Sequence, residues 1–197
     1  MEKTISAKFD EKALTYHSYL TLLNQLLTEG KTTGAYQSPE LTEHARLNIG
    51  RMQNVMQTVA IVPEIKEKIA AITGPQTWYV LTEGWCGDAA QSIPVMHAIA
   101  QLNPNITFKL LLRDENPDIM DCYLQYGKSR SIPKLIVYCR NHNRELFNWG
   151  PRPVALQEIY DDLRESQAPF EIIADKIHSW YAEDKTHSIQ QELFELL

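Results

Sequence analysis

Cysteine is scarce in this chain, and no apolar run is long. Three cysteines, Cys86, Cys122 and Cys139, stand among 197 residues. So odd and sparse a set excludes a disulfide framework and predicts free thiols in a reducing compartment. None of the six histidines pairs with a cysteine at zinc-ligand spacing, so no metal site is expected. No stretch approaches the ~18 apolar residues of a membrane span. The opening MEKTISAKFDEKAL lacks the apolar centre of a secretory signal, which predicts a cytoplasmic location. Basic residues are in deficit too. Nineteen Lys and Arg against 25 Asp and Glu leave a net charge of −6, which argues against general nucleic-acid binding. Walker loops, dinucleotide glycine motifs and nucleophile elbows are missing, and no cofactor is expected.

What remains is ordinary soluble-protein material. Hydrophobic residues make up 44% and charged residues 22%, and the length suffices for a sizeable core without disulfides. Residues 11–29 read as one helix, with leucines at helical spacing and Gly30 as a stop. Ser38-Pro39-Glu40 reads as a cap and first turn, opening a helix to about Val59 with Gly50 as a candidate break. Pro63 opens a shorter helix over 63–72. The first 75 residues are therefore expected to form a helical extension, covering the sheet edge or a core face or providing a dimer surface.

The pattern then changes. Thr77–Thr82, Thr107–Leu112, Lys134–Cys139 and Arg144–Trp149 read as strands, rich in aromatic and β-branched residues and bounded by turn residues. Helices are expected over 87–102, 117–126 and 153–166, with two more around 169–182 and 187–197. Strands one and two are separated by a helical crossover and should be parallel, whereas the short turn Asn141-His142-Asn143 makes three and four a hairpin. The fold class is thus α/β, a mixed four-stranded sheet flanked by helices. Its core spans 76–166, with C-terminal helices over 167–197 packed on it.

That order, with Trp85-Cys86-Gly87-Asp88-Ala89 after the first strand, Pro94 inside the following helix and Ile132-Pro133 before the third strand, resembles the thioredoxins. They carry W-C-G-P-C, a kink proline and a cis-proline at the matching places. Leu111 to Pro117, Ser131 to Lys134 and Trp149 to Pro153 further resemble a subgroup of thioredoxin-like proteins with a helical N-terminal extension. The resemblance implies a thiol–disulfide site in which Cys86 attacks, Pro133 aligns an extended substrate and Trp85 and Asp88 flank the thiol. Ala89 stands where the second cysteine belongs, so only monothiol chemistry on a protein or low-molecular-weight thiol or disulfide, with an external resolving thiol, is implied.

The residues themselves supply opposing forces. Unpaired N–H groups at a helix start favour a Cys86 thiolate, while Asp88 and Glu83 oppose it. The strand directions gather Arg113, Arg130, Lys134 and Arg152 on the rim that bears Cys86, beside Ile132 and Asp114. Those arginines either hold a carboxylate or phosphate or merely pair with Asp88, Asp114 and Glu115. Two readings follow: a monothiol oxidoreductase, and a redox-inactive module binding a peptide or small anion. Cys122 and Cys139 are expected to be small buried hydrophobes, and His97 a packing or surface residue.

Overall fold

The computed structural model describes residues 5–197. Four helices come first: α1 (Ile5–Lys12), α2 (Tyr16–Thr28), α3 (Pro39–Thr58) and α4 (Pro63–Ala70). The central part is β1 (Gln76–Thr82), α5 (Gly87–Ala100), β2 (Ile106–Leu112), the short α6 (Pro117–Met120), β3 (Lys134–Cys139) and β4 (Arg144–Trp149). Helices α7 (Val154–Glu165), α8 (Phe170–Asp184) and α9 (His187–Leu196) complete the chain.

The sheet order is β2-β1-β3-β4. Strand β1 is parallel to β2 and antiparallel to β3, and β3 pairs antiparallel with β4. This is the mixed sheet expected from the connection lengths. Strand β1 is buried along nearly its whole length, because helices cover both faces, whereas β4 alternates exposed and half-buried residues as an edge strand does.

One apolar core joins the sheet to the helices on either side of it. Tyr19 and Leu23 of α2, Met52 of α3, Ile65 and Ile69 of α4 and Leu193 of α9 share it with Trp78, Ile93 and Ile136. Leu156, Ile173, Ile177 and Tyr181 form a second, smaller cluster between α7 and α8.

Two helices differ from the sequence reading. The helix expected over 11–29 is interrupted at residues 13–15. Leu14 exchanges two 2.8 Å backbone hydrogen bonds with Leu110 of β2, and the Thr15 hydroxyl caps α2 through the Ser18 N–H. Pairing with the open sheet edge outweighs helical continuity there. Helix α6 ends at Met120 instead of continuing to 126, and the chain turns through Tyr126 and Gly127, both at positive φ. Gly50 does not break α3. Pro94 lies inside α5 as expected.

The loop after β4 packs on the loop before β3. Ile132–Pro133 and Gly150–Pro151 are both cis. Gly150 has φ of +111°, and a Cβ there would collide with the Pro133 carbonyl oxygen. Lys134 donates to the Gly150 carbonyl at 2.7 Å and fixes the same approach from beneath. Gly150→Ala should therefore destabilise the protein by about 1–3 kcal/mol, read as a lower denaturant midpoint at unchanged slope. An unchanged midpoint would show that the two loops are free to separate.

Candidate functional site

Strand β1 delivers the chain into Glu83-Gly84-Trp85 and then into α5, whose N-cap is Cys86. The turn is held closely from below. A Cβ on Gly84 would meet a Leu23 methyl at 2.6 Å. The Gly84 N–H donates to Thr33 Oγ1 at 2.8 Å, and its carbonyl accepts from Asn48 Nδ2 of α3 at 3.0 Å. From above, α8 lies so close that a Cβ on Gly87 would sit 2.9 Å from the His178 ring. Glycine at both positions lets the turn pass between two layers of helix.

Cys86 is 8% exposed, and its Sγ donates to the Ile132 carbonyl oxygen at 3.2 Å, which brings it beside the cis-proline loop. Burial, and then the Asp88 carboxylate, push its thiol up to about 12. The Ala89 and Asp88 backbone N–H groups and Arg152 pull the other way and are outweighed. The net direction is opposite to that expected from a helix start alone. Desolvation of a charge exceeds what a few backbone dipoles return.

Asp88 forms an ion pair with Arg152 at 2.8 Å, with the two side chains 8% and 10% exposed. The Tyr181 hydroxyl of α8 donates to the other Asp88 oxygen at 3.0 Å. Arg152 also donates to Gln157 Oε1 at 3.1 Å and lies over the Tyr160 ring, 3.8 Å from its centre. Asp88 is thus the acid that acts on Cys86. Glu83 is fully buried and turned away, its Oε1 accepting the Asp114 N–H at 2.9 Å, and burial raises its pKa.

A cavity of about 640 Å³ opens above this turn, between α3, α8 and the loop before β3. Its walls carry Trp85, Cys86, Asp88, Arg113, Arg130 and Arg152 together with Ile132, so most of the rim read from strand directions does converge. Pro133 and Lys134 lie beneath it instead. Both are buried, and the Lys134 ammonium is committed to Gly150. Arg113 stacks over Trp85 at 4.9 Å and pairs with Asp114 at 2.8 Å. Arg130 forms a two-pronged pair with Asp121 at 2.7 Å, and among the described residues no arginine pairs with Glu115.

Among the cavity residues with no counterpart in the sequence reading are His44, Asn48 and Arg51 of α3 and His178 of α8. Arg51 donates to Asn48 Oδ1 at 2.7 Å, and among the described residues no carboxylate lies within ion-pair distance of it. Burial holds the His178 imidazole down at about 4, helped by the positive charge of Arg51, with Asp175 opposing. The spacing of 44, 48 and 51 places them on one face of a helix, but nothing local says that this face meets α5.

The remaining cysteines differ from expectation. Cys122 is exposed and Cys139 half-buried, because α6 stops short and β3 ends at the surface. His97 is a packing residue, stacked on Tyr16 at 4.2 Å and tilted against Phe108. Among the described residues no group of three potential ligands could hold a metal, and no helix is long and apolar enough to cross a membrane.

A family model described as thioredoxin matches residues 34–164. The chain belongs to the thioredoxin family. The match begins inside the helical extension, so this thioredoxin-like protein shares with its family α3 and α4 as well as the sheet. None of the curated proteins matches it. Among solved structures it is similar to a Pseudomonas aeruginosa protein of unknown function, at 15% identity and a TM-score of 0.53, with 93% of this chain and 96% of that one covered. It is also similar to an HIV epitope-scaffold, at 13% identity and a TM-score of 0.56, with 93% and 97% covered. These likenesses extend the shared fold over nearly the whole chain.

Two outcomes follow for the site. Iodoacetamide mapped by mass spectrometry should label exposed Cys122 first, and Cys86 at neutral pH at least about tenfold more slowly than a free thiol of pKa ~8.5; rapid Cys86 labelling with a midpoint below 8 would contradict the burial argument. His178 has a folded pKa near 4 against 6.5 unfolded. The unfolded chain therefore binds more protons between those values, and stability falls as pH drops through that window. His178→Gln should show a smaller drop in Tm from pH 6.5 to 4 than the wild type; an identical drop would place the titration elsewhere.

Proposed function

We propose that this thioredoxin-family chain is a binding module for a small anion carrying phosphate or carboxylate, held in the cavity above α5 with Cys86 as an un-ionised thiol in its wall. The observation that carries this reading is Arg51. It is a half-buried guanidinium lining the cavity, bonded to one amide oxygen and, among the described residues, without the carboxylate partner that Arg113, Arg130 and Arg152 each possess. Such a group offers paired N–H donors to a planar or tetrahedral oxyanion. Arg113, held over Trp85, adds a second positive charge to the same walls. A volume of about 640 Å³ suits a small molecule.

Monothiol exchange is the second reading, favoured by the place of Cys86 in the cavity wall beside Ile132. In it the Cys86 thiolate attacks one sulfur of a low-molecular-weight or protein disulfide. An S–S bond forms to Cys86, the other sulfur leaves as thiolate, and an external thiol breaks the mixed disulfide. Ala89 provides no internal resolving group, and the raised thiol makes the first step slow at neutral pH.

Titration with inorganic phosphate, followed by calorimetry, separates the readings. Wild type should bind, Cys86→Ala should bind equally well, and Arg51→Ala should bind about tenfold or more weakly, the size of a lost charge-assisted hydrogen bond. Absence of phosphate binding at millimolar concentration, or an unchanged affinity in Arg51→Ala, would sink the binding reading. Disulfide reduction that disappears in Cys86→Ala would install the second.

A further inference from the structure

The cavity is graded along its length. On α3, Leu41, His44, Asn48 and Arg51 recur at three- and four-residue spacing and line it; on α8, Phe170, Ala174 and His178 do the same at four-residue spacing. The two stripes face each other in the same order. His44 and Phe170 approach with ring centres 5.9 Å apart near the two N-terminal ends, and Arg51, ahead of Asp175 and His44, is the charge that acts most on His178 at the other. The end that holds Leu41 and Phe170 is therefore the more apolar, Leu47 lies between it and Arg51, and the other end carries Arg51 and His178, with Asp175 beside them, and adjoins the thiol. Phe170 is 62% exposed and Leu47 48%, although both line the cavity. At 1.5 Å per residue, the stripe from Leu41 to Arg51 runs about 15 Å and that from Phe170 to His178 about 12 Å.

We infer that the ligand is an amphipathic molecule whose anionic head lies at Arg51 and whose apolar tail lies between α3 and α8, over Phe170, Leu41 and Leu47. This inference rests on the anion-binding reading and specifies its substrate class. A head group alone would leave the apolar half of the cavity and its exposed Phe170 unused. A purely apolar ligand would bring nothing to Arg51, which has no carboxylate within ion-pair distance among the described residues. Charge complementarity at one end and apolar burial at the other assign the orientation of the ligand.

Methyl phosphate, octyl phosphate below its micellar concentration, and octanol distinguish the possibilities by calorimetry on the full chain. Each buried methylene is worth about fourfold in affinity, so octyl phosphate should bind at least about tenfold more tightly than methyl phosphate. Phe170→Ser should remove much of that gain while leaving methyl phosphate unchanged, and Arg51→Ala should weaken both phosphates. Equal affinity for the two phosphates would overturn the tail and leave the anion reading standing. Octanol binding as tightly as octyl phosphate would overturn the head-group assignment. Failure of both phosphates to bind would remove the anion reading and this inference together. A gain that survives in Phe170→Ser would overturn the placement of the tail.

Discussion

The buried ion pair between Asp88 and Arg152 is the interaction on which the site depends. A carboxylate and a guanidinium taken nine-tenths out of water are costly to desolvate, and they persist because most of their remaining bonding capacity is filled, only Arg152 Nε being left without a hydrogen-bond partner among the described residues. Tyr181 fills it for Asp88, and Gln157 and the Tyr160 ring help to fill it for Arg152. These five residues come from the start of α5, the loop after β4, α7 and α8. Removing either charge leaves the other buried and unpaired, which is why the turn bearing Cys86 and the helices above it are one construction. The pair also sets the thiol, since Asp88 raises it while Arg152 lowers it.

Seen from this pair, the departure from a two-cysteine motif is a consistent change of chemistry. The residue between Gly87 and Ala89 is an acid, and the chain supplies a counter-charge from Trp149-Gly150-Pro151-Arg152. The close approach of Gly150 to Pro133 fixes where that arginine begins. The un-ionised thiol then lies in a pocket wall beside this ion pair, with Arg51, Arg113 and Arg130 elsewhere in the walls. A carbonyl oxygen, that of Ile132, takes the only proton the sulfur offers.

The four strands, their directions and the meeting of Cys86 with the Ile132–Pro133 loop were legible in the sequence. They depend on local composition, on turn length and on the side of the sheet a crossover helix must take. The rim arginines were legible for the same reason, since strand ends share an edge whatever covers them. Lys134 was assigned to that edge but points beneath it, because residues alternate across a strand and its ammonium found the Gly150 carbonyl. Arg51, His44 and His178 were not legible. They lie on helices outside the sheet, and their place is set by how α3 and α8 dock on α5, a tertiary matter that helical spacing does not encode. The interruption of the first helix at Leu14 is of the same kind, since its cause is a strand nearly a hundred residues away.

Helices α7 and α8 keep their own apolar cluster, apart from the main core. The bonds that fasten them to the turn at Cys86 are polar: Tyr181 to Asp88, and Arg152 to Asp88 and Gln157. Parting this pair of helices from the sheet leaves their own apolar cluster intact. Such an excursion carries a small heat-capacity change and a shallow dependence on urea, while global unfolding carries large ones. The roof and the body of the molecule are thus held chiefly by different forces, buried polar bonds for the first and apolar burial for the second.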